Sequence, residues 1–320
     1  MTPVLLPQSR PVANPSFHRT CAKIRADKLI QTLGLLHSCS QMKLLHNIYL
    51  GIQRRPLKFV SEIFLAYSVL WTLIESASYF FPDIKLQGIR CYLALVCIGV
   101  LIAGIRAYQC QSVSFKIGHS NTKVTVLFGD LFSRDGHLAI PVNEFFDSEL
   151  GLPVSPKSLH GIVIDRFFGG HPASFDQLVT TDLANTSGQN IQRIVGKNRQ
   201  YPIGTTAAVR TNSHRFLLFA LCVTDLATFK ASATVPELVR ALEGLCAKAR
   251  FALGGEKLVV PLVGSGLSGI GLPTNQLLQL ILLVLVNETK KNQVALDIEV
   301  VIHPDRFDEV DLRLIENFWR

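Results

Sequence analysis

The chain has 320 residues, enough for one large or two ordinary domains, with a formal net charge of +8 and only 18% charged residues. Mean hydropathy is +0.30, which is apolar for a protein wholly in water. The excess charge is concentrated: residues 1–58 hold nine Lys or Arg against one acid, Asp27, a net of +8, so the remainder is neutral and a nucleic-acid-binding surface is not indicated. Seven cysteines, odd in number and without a CxxC pair, argue against a disulfide framework or a zinc site.

Residues 1–27 show four prolines, no steady period and no signal-peptide pattern, and read as poorly ordered. From Lys28 to Ile52, apolar residues return mostly at three and four, which predicts one or two amphipathic helices on protein or lipid. Phe59 to Phe81 lacks Lys, Arg, Pro and Gly, and about 20 such residues cross a bilayer. Its charges are Glu62, near the end, and Glu75, deeper and costly unless protonated, paired or turned to another helix. Glu75 reads first as an interfacial or helix-packing residue and second as a channel-lining one. After the short turn FPDIKLQGIR comes a second uncharged run, Cys91 to Ile105, whose flanking Arg90 and Arg106 can snorkel and lengthen the span. Gly99 and Gly104 would permit close helix contact. Such a hairpin puts both its ends on one side of the membrane, and the basic flank makes that side cytoplasmic. A buried hairpin in a water-soluble protein is the alternative. Three segments follow from this: 1–57, basic and partly helical; 58–110, the transmembrane hairpin; and 111–320.

From Gln111 the pattern turns α/β. SVSFKIG, KVTVLFGD, the start of HLAIPVNEFF, RFLLFALCVTD, KLVVPLVG and VALDIEVVIH read as strands. SLHGIVIDRFF, FDQLVTTDLA, VPELVRALEGLCAKAR, LLQLILLVLV and a closing FDEVDLRLIENFW read as helices. Alternation of this kind predicts a mixed, mostly parallel sheet between helices, with apolar strands buried on both faces. Ligands of such sheets bind beyond the carboxyl ends of the strands. Gly129-Asp130, Pro141-Val142-Asn143 and the loop Gly264 to Gly271 reach that edge. The loop sits between a β-branched run and Pro273, which suits a first helical turn, so its free amides and the helix dipole could hold a phosphate.

Gly129-Asp130-Leu131-Phe132, Ala139 to Asn143, Tyr201-Pro202-Ile203-Gly204-Thr205 and Gly264-Ser265-Gly266-Leu267-Ser268-Gly269 together resemble the motifs of macro domains, the ADP-ribose-binding modules, over roughly residues 113–320. With the basic N-terminal part and the two apolar spans, the chain is similar to the membrane-bound, macro-domain effectors of Thoeris anti-phage defence systems. That resemblance implies a macro-like fold after a transmembrane hairpin, in the cell inner membrane with both termini cytoplasmic. It implies an ADP-ribose-type nucleotide as activating ligand, made by a TIR-domain partner, with no catalytic residue, metal or resident cofactor. It further implies oligomerisation and membrane disruption on activation. Residue by residue, Asp130 would accept from the adenine amine, Asn143 would meet the distal ribose, and the amides of Gly264, Ser265, Gly266, Leu267, Ser268 and Gly269 would hold the diphosphate. Asp147 would contact a ribose hydroxyl or cap a turn. Ser158-Leu159-His160-Gly161 either replaces the family's first phosphate loop or starts a helix. Glu144-Phe145-Phe146-Asp147 stands where the family has small residues and an Asn, which predicts a bulkier, more acidic distal pocket and a modified ligand. His160 and His171 read as surface or loop residues. A membrane-tethered ADP-ribosyl hydrolase is the competing reading, for which no base can be named.

Overall fold

The computed structural model describes residues 45–53, 55–80, 88–108, 110–266 and 269–319. The expectations for residues 1–27, most of Lys28–Ile52, the turn after Phe80, and Leu267 and Ser268 lie outside them. The chain forms two compact units, Met1–Gln109 and Cys110–Arg320.

In the first unit, α1 is described over residues 45–53. Helices α2 (Pro56–Phe80) and α3 (Ile89–Ala107) form the hairpin, and both are long and apolar enough to cross a membrane. They pack through Gly99, as expected, where a Cβ would sit 3.4 Å from the Ile63 carbonyl oxygen, and through buried Ala103 rather than Gly104, where a Cβ would meet nothing within 4 Å. Arg106 donates to Glu62 at 2.6 Å, joining the start of α2 to the end of α3. Tyr67 meets Tyr92 edge-on at 5.9 Å.

The second unit is a mixed sheet in the order β1-β2-β10-β9-β3-β7-β6. Strands β2 (Lys123–Phe128), β10 (Asp297–Ile302), β9 (Leu258–Pro261), β3 (His137–Asn143) and β7 (Arg215–Thr224) run parallel. β1 (Ser112–Lys116) and β6 (Thr206–Arg210) pair antiparallel at the two edges, and β8 (Ala231–Ser232) on β7. Two-residue strands β4 (Gln189–Asn190) and β5 (Arg199–Gln200), not foreseen in the sequence, make a separate ribbon. The period of two sorts each strand between two cores. In β7, Leu217, Phe219 and Leu221 join helices α6 (Val235–Ala252), α7 (Thr274–Lys291) and α8 (Leu312–Trp319). Phe216, Leu218 and Ala220 face α4 (Leu159–Phe168) and α5 (Pro172–Asp182). Each fully buried Phe or Leu contributes about 1.5–3 kcal/mol of apolar burial, and this two-sided core fixes the sheet's register.

The closing segment differs from expectation. It is a 3-10 turn, Pro304–Glu309, followed by the separate helix α8. Val310 is extended, and the Asp311 carboxylate accepts from the Arg313 amide at 3.0 Å, restarting the helix there.

Candidate functional site at the carboxyl edge of the sheet

Parallel pairing positions the site. β3 and β9 pair only at His137–Leu258 and Leu138–Val259, while β9 stays paired with β10 through Pro261–Val301. Beyond Leu138 no pairing joins β3 to β9, so Asn143 ends one and the glycine loop ends the other, with Gly129-Asp130 following β2 on the same edge. A crevice outside strand ends of this kind is where open α/β sheets take ligands.

The glycine loop combines a fixed foot with an open crest. Gly264 is buried at φ +92, and a Cβ there would come within 2.7 Å of Ile270 Cδ1, so both the backbone and the packing require glycine. Ile270 donates its amide to Gly264 at 3.3 Å and Gly269 donates to Gly266 at 3.1 Å, which spends those two amides inside the loop. Gly266 is exposed, and a Cβ on it would meet nothing within 4 Å. Arg306 donates to the Ser265 carbonyl at 2.9 Å and pairs with Glu309 at 2.8 Å. Hydrogen bonds from Thr274, then from Arg306, hold the Glu309 carboxyl below its usual range. Sequence reading missed Arg306; its signal was a lone basic residue in the turn after β10. Helix α7 opens behind the loop at Thr274, and Pro273 stands one residue ahead of the expected first-turn position, as a non-helical N-cap.

At the end of β3, a buried polar network surrounds Asn143. Its amide nitrogen donates to Asp147 at 2.7 Å and to the Thr224 hydroxyl at 3.2 Å, and its oxygen accepts from the Asp147 amide at 3.1 Å. Asp147, with no exposed side-chain surface, pairs with Arg193 at 2.9 Å and accepts from the Lys197 amide at 2.7 Å. The Arg193 guanidinium lies 3.8 Å from the centre of the Phe145 ring, and its Nε and Nη2 have no hydrogen-bond partner among the described residues. Glu144 accepts from the Thr224 amide at 2.9 Å; burial, more than any other influence, raises its carboxyl above the usual range. Sequence reading placed none of Arg193, Lys197 and Thr224 here.

The remaining expected residues have local roles. Asp130 is exposed and accepts from the Phe132 amide at 3.1 Å, capping the 3-10 turn Leu131–Ser133. Ser158 caps α4 and takes the Gly161 amide at 2.9 Å. A Cβ on Gly161 would stand 2.2 Å from the Ser155 carbonyl oxygen, so helix start and chain packing both account for that glycine. His160 is not at the surface: it is 5% exposed against Phe175, and burial, with the Lys197 charge nearby, pushes it down to about 3. Its ring fills the α4–α5 core, which sequence could not reveal because a helix face carries no mark of what packs on it. His171 precedes α5 at its N-cap position.

Among solved structures, the chain is similar to an Oceanobacillus iheyensis macrodomain with ADP, at 11% identity and a TM-score of 0.44, covering 65% of this chain and 96% of that one. It is also similar to a Trypanosoma brucei macrodomain in complex with ADP-ribose, at 9% identity and a TM-score of 0.39, covering 60% and 68%. None of the curated proteins compared with it matches. The family model described as Thoeris protein ThsA, Macro domain, matches residues 124–303. That match takes in more than half of the chain, from β2 to the end of β10, and the chain belongs to the Thoeris ThsA macro-domain family.

Proposed function

We propose that this protein is a membrane-anchored receptor of anti-phage defence. The second unit binds an ADP-ribose-derived nucleotide made by a TIR-domain partner, and binding promotes self-association of the chain and disruption of the cell inner membrane through α2 and α3. Both termini are cytoplasmic in this reading, where the signal is made. The observation that carries it is the open crest of the glycine loop at Gly266, beside the ends of β3 and β9, which do not pair with each other, and ahead of the N-terminus of α7. Amides there can approach a diphosphate without a side chain intervening. The loop backbone from Gly264 to Ser268 holds the diphosphate, Asp130 meets the adenine amine and Asn143 the distal ribose end, while the Gly269 amide closes the loop and the buried Asp147 orients Asn143.

Gating requires the ligand to prefer the assembled state. Binding is favoured over hydrolysis because the acids beside Asn143 are already engaged: Glu144 by Thr224, Asp147 by Arg193 and Lys197. The test is titration of ADP-ribose into the full chain in detergent, followed calorimetrically, with the released products assayed. Saturable heat without turnover supports the receptor. No heat at about millimolar nucleotide, the weak end of specific binding, overturns it.

A further inference from the structure

Helix α2 has two unlike faces. At 3.6 residues per turn, Ser61, Ser68, Thr72, Glu75, Ser76 and Tyr79 fall within about 60° of one line along the helix, and all six are exposed. The opposite face carries Ile63 and Tyr67, which meet Gly99 and Tyr92 of α3. Most of the polar face is therefore turned away from α3; Glu75, at its edge, borders the cleft between the two helices, where α3 presents Tyr92, Leu95 and Ile98 and offers the carboxylate no cation. By contrast, the exposed side chains of α3 include Leu93, Val100, Leu101 and Ile105, which suit lipid.

The hydroxyls of α2 are spent in one direction. Ser61 donates to the Lys58 carbonyl at 2.8 Å, Ser68 to Phe64 at 2.8 Å, Thr72 to Ser68 at 2.9 Å and Ser76 to Thr72 at 2.8 Å. Their hydrogens point back into the helix and their lone pairs point out. The Glu75 carboxylate also only accepts. It borders a groove of about 520 Å³ lined by Tyr67, Trp71 and Tyr92, and no cation pairs with it among the described residues. From Ser68 to Ser76 the outward face is thus lined by acceptors, with Leu65 exposed between Ser61 and Ser68 and the Tyr79 hydroxyl at the far end.

That chemistry selects the occupant. Acyl chains offer no donor to these acceptors, and Glu75, about 7.5 Å along the axis from the end of α2, would be a charge facing lipid without a partner. A second α2 face pressed directly on the first brings mainly further acceptors opposite Ser68, Thr72 and Ser76, and no cation opposite Glu75. Water and hydrated cations bring donors and positive charge. One hairpin cannot enclose water, whereas rotational repetition of one chain closes a ring. We infer that, in the assembled membrane state, the Ser61–Tyr79 face of α2 from several copies encloses a water-filled path that passes cations and rejects anions, with a ring of Glu75 carboxylates as its charge filter. This rests on the membrane-anchored reading above and says how that membrane is breached.

The test uses the full chain reconstituted in planar bilayers across a KCl gradient, with and without ADP-ribose as probe. The expected result is a current whose reversal potential lies on the K⁺ side. Glu75→Gln moves that potential to near zero, and Glu75→Asp keeps it. Ser68→Leu with Thr72→Leu, which remain compatible with insertion, abolishes the current; Leu93→Ser on α3 leaves it unchanged. A current equally permeable to K⁺ and Cl⁻, a selectivity untouched by Glu75→Gln, or no current at any protein concentration overturns the inference. ADP-ribose calorimetry on the same preparation judges the receptor reading separately: binding without a cation-selective current sinks this inference alone.

Discussion

Two glycines two residues apart in one loop are predicted to fail in opposite ways. Gly266→Val adds a side chain at an exposed site where even its Cβ has no neighbour within 4 Å. It should change stability by no more than about 0.5 kcal/mol, the range of surface substitutions. The added branch fills the place a diphosphate would take and removes access to the loop amides. Losing a charge-assisted hydrogen bond costs about 1.5–3 kcal/mol, a rise of roughly 10- to 150-fold in Kd for ADP-ribose. Gly264→Ala instead meets Ile270 Cδ1 at 2.7 Å from a backbone held at φ +92. Overpacking costs about 1–3 kcal/mol and left-handed backbone about 1–2 kcal/mol more. A total near 3 kcal/mol lowers the Tm of a unit of this size by about 6–12 °C. The assay is a thermal melt of each full-chain variant beside calorimetric titration with ADP-ribose. If Gly266→Val binds as tightly as the parent while folded, the glycine crest is not the phosphate site, and the functional reading fails with it.

Asp147→Ala strands Arg193 as an unpaired buried cation and should cost about 3–5 kcal/mol, read as a lower midpoint in urea; a loss under about 1 kcal/mol would mean the pair is solvated. His160 stays neutral in the fold and protonates in the unfolded chain, so its contribution is complete above pH 6.5 and is lost as pH falls from 6.5 towards about 3. His160→Phe should flatten that acid limb, which otherwise falls by up to about 1.4 kcal/mol per pH unit; parallel limbs in the two proteins would refute the assignment. Arg306→Ala releases the Ser265 carbonyl and should weaken ADP-ribose binding about tenfold through loss of one charged hydrogen bond, with a melt close to the parent; unaltered affinity would show that Arg306 does not brace the loop.

The fold was legible wherever a local period carried it. The apolar runs of β7 and β9, the three-four spacing of α6 and the long uncharged stretch of α2 each declare their element without reference to the rest of the chain. The glycine loop was legible because strand, glycines and Pro273 occur in sequence. The network around Asn143 was half legible. Asn143 and Asp147 lie four residues apart, but Arg193 comes from a tract 46 residues further on that has no period. One signal was available: residues 191–200 hold Arg193, Lys197 and Arg199 and no acid, and a buried Asp147 needs a cation. The closing helix was misjudged as continuous because its apolar spacing runs through Val310 and Asp311, while the Asp311 cap that restarts it is a hydrogen-bond event that periodicity does not record.

The tract Glu144-Phe145-Phe146-Asp147 illustrates how composition can mislead about a pocket. Two acids and two large rings in place of small residues predict bulk and negative charge facing the ligand. In the fold all four are buried. Phe146 takes φ +52, packs edge-on against Tyr201 at 5.5 Å and turns the chain so that its ring enters the core. The acids are consumed by Thr224, Arg193 and the Lys197 amide, and Phe145 lies beneath the guanidinium of Arg193. The acids are therefore satisfied inside the protein, and the surplus of donors belongs to the cation: Arg193 keeps two buried donor nitrogens, Nε and Nη2, after pairing with Asp147. Buried donors without acceptors are costly. The end of β3 is accordingly an environment that wants acceptors, the reverse of what its own residues suggest.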